Sequence, residues 1–326
     1  MWKPKVVLIV ALLFVAGVFI QPAPAADYPS RTIEMLSPYT PGGSMDVVSR
    51  LVAENSAKYL GQRMVVINKP GGAGSLAAAE VISSKPDGYK LITLANLFFA
   101  TTIKTQKVPF EQNDLIPIAN FVEYKLGMIV KGDSPWKTFG DMIDYAKKNP
   151  GKLRWNHPGR GTSLHMDALL IFRKAAVETI EIPNPKGASE SISALLGGHV
   201  DAATMPYGPV KDLMKTGRVR FLILYADHRY ADPPDVPCSS ELGFPEAANL
   251  NTFIGVYAHK NTPKDVQKTL FDAFQKTYED PQFKKGVETL GEEPRFGGPE
   301  FVRDAIKKCE EVGVPLLKEF GLYVAK

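Results

Sequence analysis

An α/β fold arranged as two lobes is what this sequence predicts, and three observations carry that expectation. Short β-branched runs alternate with amphipathic segments along most of the chain, as in mainly parallel sheets flanked by helices. About 300 residues follow an N-terminal apolar leader, more than one ordinary domain, and a hydrophobic content of 44 % supports a full core. Pro150-Gly151 stops one helical pattern, and a second strand-and-helix series then begins.

The leader has Lys3 and Lys5 ahead of an apolar run over 6–20, followed by the small residues Ala23-Pro24-Ala25. This is the form of a secretory signal over 1–25, cleaved after Ala25 or Ala26. The apolar run is shorter than the ~20 residues a membrane span needs. No cysteine follows it, so a lipid-anchored form is not indicated. Without Lys3 and Lys5 the formal charge falls from +4 to +2, with 37 basic residues against 35 acidic ones. That balance predicts no strong attraction to nucleic acid or to membrane surfaces. Cys238 and Cys309 are the only cysteines, which excludes a cysteine-rich metal or redox site. One disulfide and two separate buried thiols both fit the sequence, because pairing depends on geometry.

Along the first lobe, an extended run over 32–37 precedes a helical pattern in which Val47, Val48, Leu51, Val52 and Tyr59 share a face until Gly61. A strand over 64–67, a helix over 75–84 and a strand over 89–94 follow, the last introduced by the turn Pro86-Asp87-Gly88. Residues 121–131 read as one long extended crossing segment, and 136–148 as a helix. The second series has strands over 153–155, 178–182, 200–205 and 218–224, with helices over 163–175, 189–196 and 210–216. A strand over 253–259 and helical segments across 265–290 and 300–320 complete the chain, a late return to the first lobe. The expected division is 26–124 plus 251–326 for lobe 1 and 125–250 for lobe 2.

Three strand-to-helix turns stand out. Pro38-Tyr39-Thr40-Pro41-Gly42-Gly43-Ser44-Met45-Asp46 places paired glycines at a helix N-terminus. The first N–H groups there lack intrahelical partners and carry the positive end of the dipole, so Gly42, Gly43 and Ser44 suit a carboxylate or phosphate. A plain turn capped by Ser44 is the alternative. The second turn, Asn156-His157-Pro158-Gly159-Arg160-Gly161-Thr162-Ser163-Leu164-His165, offers N–H groups at Gly161 and Thr162 and a capping hydroxyl at Thr162 or Ser163. Arg160 is either a bidentate partner for a distal carboxylate or a solvated loop residue, and His165 either a ligand contact or a packing residue. Pro185-Lys186-Gly187-Ala188-Ser189 opens a further helix. Ligands of open α/β sheets bind beyond the carboxyl ends of strands, where these turns lie.

Enzyme motifs fare poorly. Gly72-Ala73-Gly74-Ser75-Leu76-Ala77 satisfies the G-x-G-x-x-A dinucleotide pattern, but Asn68-Lys69-Pro70-Gly71 lengthens the turn and the acidic residue expected about 20 positions on is absent. There is no nucleophile elbow and no phosphate loop, and the five histidines lack metal-ligand spacing.

The ordered markers Tyr28-Pro29-Ser30-Arg31, the Pro38 to Asp46 loop, Leu60-Gly61, the Val66 to Gly74 stretch, Pro86-Asp87-Gly88-Tyr89, Gly159-x-Gly161-x-x-x-His165 and Leu196-Gly197-Gly198-His199-Val200-Asp201 resemble one family. It is the Bug family of periplasmic solute receptors, the TctC-type component of tripartite tricarboxylate transporters, and the similarity runs from Tyr28 nearly to the end. The resemblance implies a type II periplasmic-binding-protein fold, two α/β lobes hinged around a ligand cleft, in a periplasmic monomer that uses no cofactor and no metal. It implies a small mono- or dicarboxylate ligand delivered to membrane permease subunits. A same-fold sensor presenting its carboxylate to a two-component sensor kinase is the alternative. A periplasmic enzyme would need a titratable pair such as His165 with Asp46 or Asp201.

By the family pattern, the backbone of Gly42, Gly43 and Ser44 and the turn at Gly161, Thr162 and Ser163 hold one carboxylate from opposite lobes, partly through ordered waters. Tyr39 walls the pocket, and Lys186, Gly187, Ala188 and Ser189 form the third contact. Asn184-Pro185 stands where the family commonly has tyrosine, and Phe253 where many members have tryptophan. Asp46 resembles the amino-group acceptor of members that bind amino acids. An acid at a helix N-terminus also stabilises the helix, and a structural or water-holding use is the reading preferred.

Overall fold

A computed structural model describes residues 28–184 and 187–324, so the leader and Pro185-Lys186 lie outside the described residues. The elements of the first lobe are β1 (Ile33–Ser37), α1 (Ser44–Leu60), β2 (Met64–Asn68), α2 (Ser75–Ser83), β3 (Lys90–Ala95), α3 (Asn96–Ala100) and β4 (Leu115–Glu123). The second lobe runs through β5 (Leu126–Lys131), α4 (Phe139–Lys148), β6 (Leu153–His157), α5 (Ser163–Lys174), β7 (Thr179–Pro183), α6 (Ala188–Leu196), β8 (Ala202–Pro206), α7 (Lys211–Lys215) and β9 (Val219–Leu224). The chain then returns through β10 (Phe253–His259), α8 (Lys264–Glu279), α9 (Pro281–Thr289), β11 (Glu293–Gly297) and α10 (Pro299–Glu319).

Local chemistry sets the element ends. Helix α1 carries Asp46 in its first turn and Lys58 in its last, matching the macrodipole, and Gly61 ends it at φ +68°. Thr138 and Asp141 form a reciprocal capping box that starts α4 three residues later than the periodicity suggests. The helical region 265–290 is broken at Asp280-Pro281, where the Asp280 side chain accepts the Gln282 N–H at 2.8 Å. Strand β11, sequence Glu-Pro-Arg-Phe-Gly, has no apolar alternation to announce it.

Two sheets result, of strand order β11-β4-β10-β3-β1-β2 and β7-β6-β8-β5-β9. They are mixed, which corrects the expectation of mainly parallel sheets. Strand β1 runs parallel to β2 and β3, and β6 to β7 and β8. Strands β10, β11 and β5 instead pair antiparallel with their neighbours. The reason for β10 and β5 is connectivity, since each arrives from the other lobe and enters its sheet in the reverse direction, whereas β11 returns within the first lobe to add an antiparallel edge to β4.

The expected single crossing segment 121–131 is likewise two strands in different sheets, β4 and β5, joined by Tyr124 and Lys125. Beside this crossing lies the return into β10, where the Tyr124 N–H donates to the Thr252 carbonyl at 2.9 Å. The two strands between lobes therefore form a paired hinge.

Cys309 is buried on α10 and Cys238 in the second lobe's own core cluster; both thiols are free. Among the described residues no helix is long and apolar enough to cross a membrane.

Candidate functional site

Three helices begin on one cavity between the lobes. The N-cap residues are Gly43 for α1, Thr162 for α5 and Gly187 for α6, and none of them makes a side-chain capping bond. Their helices span 17, 12 and 9 residues, so each presents a real dipole end with unmatched N–H groups. Gly43, Ser44 and Met45, then Thr162, Ser163 and Leu164, then Gly187 and Ala188 line the cavity, whose volume is about 90 Å³.

The rest of the wall is apolar or neutral. Leu94, Leu97, Phe98 and Ile254 face it from the first lobe, and Leu126, Leu164 and Met205 from the second. Among the described residues, no Asp, Glu, Lys, Arg or His lines it. Tyr124 and Thr252 also line it, and their hydroxyl oxygens are buried without a hydrogen-bond partner.

The lobes touch beside this cavity. The carbonyl of Gly161 accepts the hydroxyl of Thr102 at 3.0 Å and also that of Thr101. Gly161 is required here: its φ is +73°, and a Cβ would stand 2.7 Å from Thr105 Cγ2 and 3.0 Å from the Thr101 carbonyl.

A family model for the tripartite tricarboxylate transporter family receptor, TctC, matches residues 48–315. The chain belongs to this family. A UPF0065 protein of Cupriavidus necator is 38 % identical over 315 residues, covering 93 % of this chain and 92 % of its own. The solved periplasmic binding protein BugD superposes with TM-score 0.84 at 27 % identity, over 91 % of this chain and 99 % of BugD. MatC from Rhodopseudomonas palustris, with bound malate, gives TM-score 0.79 at 26 % identity over 87 % of this chain and 99 % of its own. The two sheets are thus the lobes of a periplasmic-binding-protein fold, and the protein is a solute-binding receptor of the TctC and Bug kind, not an enzyme.

In this receptor the expected site residues divide into two groups. Tyr39, Gly43, Ser44, Thr162, Ser163, Gly187 and Ala188 come together in the cavity wall. Gly42, Asp46, Arg160, Gly161, His165 and Ser189 do not line it. The Gly42 N–H is taken by Asp46 Oδ2 at 2.9 Å. Asp46 also accepts Asn68 Nδ2 at 2.7 Å and pairs with Arg50 at 2.9 Å. Burial pushes its carboxyl up, but the bonds from Arg50, Gly42 and Asn68 outweigh that and hold it below the usual range. Asp46 is therefore a loop-bracing acid, with no face left for an ammonium ligand.

The second loop is braced in a similar way. Arg160 gives its guanidinium to Glu181 Oε1 at 2.5 Å, which replaces the distal-carboxylate role considered from sequence. Glu181 also accepts His165 Nε2 at 3.0 Å. That bond and the Arg160 charge, against some burial, hold the Glu181 carboxyl down at about 2. Burial keeps His165 neutral, and burial with the neighbouring His165 ring pushes His157 down to about 3. Gly161 N–H donates to His165 Nδ1 at 3.1 Å and Gly159 N–H to His157 Nδ1 at 3.3 Å. Those bonds place each ring proton on Nε2, so the cluster His157, His165, Glu181 offers no imidazole lone pair to a metal ion. The Gly161 N–H is spent on His165 and is not a ligand donor. Ser189 is exposed on α6. His165, Asp46 and Asp201 lie in separate networks, Asp201 holding Arg154 at 2.7 Å.

Sequence reasoning missed Tyr124 and Thr252, which sit on the hinge crossings. The sequence carried no local signal for Tyr124, because residues 121–131 read as one extended run and only strand pairing divides it there. Phe253 packs on Phe301, with ring centroids 5.0 Å apart, and Ile254 is the neighbour that reaches the cavity.

Behind the first loop, Glu292 is buried beside the hinge. Its carboxylate accepts Lys125 N–H at 2.9 Å and Gly208 N–H at 3.3 Å, and Ser44 bonds it through its side chain. Burial raises this carboxyl to about 7 against those donors.

Proposed function

We propose that this receptor binds a small mono- or dicarboxylate between its lobes and delivers it to the membrane permease subunits of a tripartite tricarboxylate transporter. The observation that carries the reading is the convergence of three helix N-termini, from both lobes, on a cavity with no charged side chain among its described lining residues. Backbone donors then replace the water lost by a carboxylate on burial, and their dipoles supply the positive potential. The malate bound in MatC supports the carboxylate class.

On this reading the ligand contacts are Tyr39, Gly43, Ser44, Thr162, Ser163, Gly187 and Ala188. The lobes are 26–124 with 251–326, and 125–250. A ligand held from both sides favours the closed form by its differential affinity for that form, and the permease reads closure. The mature chain is released by cleavage of a signal over 1–25 and works as a monomer in the periplasm.

Thermal-shift measurement of the mature protein against carboxylates, amino acids and neutral sugars tests the proposal. Ligand at 100 times its dissociation constant stabilises the native state by about 2.7 kcal/mol. A shift with carboxylates alone is expected, whereas a shift confined to neutral compounds would overturn it.

A further inference from the structure

We propose that Glu292 makes ligand binding take up a proton, its carboxylate joining the ligand loop to the second lobe; this rests on the carboxylate reading above. Glu292 lies in the first lobe, in the turn between α9 and β11, and is 2 % exposed. Its carboxylate accepts the Lys125 N–H of the hinge at 2.9 Å, the Gly208 N–H of the second lobe at 3.3 Å and the hydroxyl of Ser44 on the ligand loop. The second lobe packs directly on it: a Cβ at Gly208 would stand 2.4 Å from the Leu290 carbonyl and 3.0 Å from Glu292 Oε1. One at Gly291 would stand 2.9 Å from Tyr207 Cδ1. Parting the lobes would therefore withdraw the Gly208 donor and admit water to Glu292. Ser44 borders the ligand cavity and also a second one of about 460 Å³, which Glu292 and Gly208 line. A carboxylate held at the start of α1 and the buried carboxyl of Glu292 thus meet on the same serine.

Both consequences of binding act in one direction. With the lobes together, burial raises the Glu292 carboxyl to about 7 against its donors, and hydration on opening returns it toward the ordinary 4.5. A bound anion beside Ser44 disfavours a second negative charge at Glu292, which raises the carboxyl further. The liganded form therefore holds a proton, taken from solvent onto a carboxylate oxygen, that the open form lacks between these values. Its contribution to affinity is fully present below pH 4.5 and is lost as pH rises through about 7. Glu292 is a positioning residue, since it acts on the ligand through Ser44 and through the lobes.

From the hinge, Tyr124 and Lys125 face Glu292, with Lys125 paired to Glu293 at 3.1 Å. From the second lobe come Tyr207 and Tyr230 and, across the second cavity, Lys211, Asp212 and Lys215. Helix α1 presents Ser44, Val47 and Val48, which do not titrate. Burial raises all three tyrosines above their ordinary value. It also pushes Asp232 up, but the bonds from Lys211 and Tyr207 outweigh it and hold that carboxyl below the usual range. Among these described groups that are shifted, Glu292 is the one that stands near neutrality.

Calorimetry of the mature protein at pH 6.5, in buffers of different ionisation enthalpy, counts the protons, with benzoate, hexanoate, adipate and malate as probes. The titration of the probe itself cancels in the difference from Glu292→Gln, which stays neutral. The parent should take up roughly 0.5–0.8 proton more than the variant per probe bound, and its dissociation constant should rise about tenfold or more from pH 5.5 to 8.5. Glu292→Gln should keep its pH 5.5 affinity across that range. Equal proton uptake in the two proteins overturns the inference and leaves the carboxylate receptor standing. Unfolding midpoints, read alongside, show whether Glu292→Gln is folded. If it is not, Glu292→Asp decides: it should move the loss of affinity to lower pH, and an unmoved profile overturns the inference. No binding by any of the four probes overturns the carboxylate reading and this inference with it.

Discussion

The hydroxyl of Thr102, on the first lobe, donates to the carbonyl of Gly161, on the second, at 3.0 Å. Thr101 donates to the same oxygen, and the Thr105 hydroxyl reaches the Arg160 carbonyl at 3.3 Å. These bonds exist only while the lobes are together. The same glycine gives its N–H to His165, which is tied through Glu181 to Arg160. The interlobe contact is thus a meeting of three threonines with one loop whose shape is set from behind by buried His165 and the partly exposed Glu181 and Arg160.

Thr102→Val keeps the side-chain shape and removes one interlobe bond, worth about 0.5–1.5 kcal/mol. Ligand affinity should fall roughly two- to tenfold, and small-angle scattering of the ligand-saturated variant should show a larger radius of gyration. Equal affinity and equal compactness would sink the closure role.

Gly43→Asp should abolish ligand binding while keeping the fold. Gly43 has an ordinary extended backbone, φ −76° and ψ 162°, and a Cβ there meets only the Thr40 carbonyl at 3.6 Å. Aspartate is a favoured N-cap, so its carboxylate would occupy the α1 donors that the ligand needs. Retained affinity with an unchanged unfolding midpoint would contradict the anion-loop assignment.

Arg160→Ala should weaken mono- and dicarboxylates alike, because the guanidinium is held by Glu181 and does not line the cavity. The pair is partly exposed, and its loss should cost about 0–1 kcal/mol of stability. A loss selective for dicarboxylates, measured by calorimetry, would restore a distal-carboxylate role.

Stability should depend on pH through Glu292. Its folded carboxyl stands at about 7 against 4.5 ordinarily, so the folded chain holds an extra proton between those values. Its contribution is fully present below pH 4.5 and is lost as pH rises to about 7, on the order of 3 kcal/mol in total. Denaturant titrations across this range should show the decline in the parent and a flatter profile in Glu292→Gln. Identical slopes in the two proteins would rule Glu292 out as the source.

Much of the fold was legible because local chemistry and tertiary structure agree. Strand β10 spans the predicted 253–259, and Gly61 and Pro150 act where their backbone preferences put them. What failed were segments whose identity depends on a distant partner. Residues 121–131 are uniformly extended, and only the pairing of β4 with β10 and of β5 with β8 and β9 divides them at Tyr124. Strand β11 exists because β4 offers it an edge, not because Glu293–Gly297 prefers to be extended.

The site shows the same division. By itself the sequence determined the α/β class, the membership of a solute-receptor family and the three turns that start α1, α5 and α6, since turn residues and helix starts are written within a few positions of one another. Only the tertiary structure decided which of their groups remain free. Asp46 is used up by Asn68, Gly42 and Arg50, Arg160 by Glu181, and the Gly161 N–H by His165, while the buried hydroxyls of Tyr124 and Thr252 are left unpaired. Gly42 and Arg50 reach Asp46 from four residues away, but Asn68 comes from 22 residues away and Glu181 reaches Arg160 from 21, beyond the reach of any local pattern.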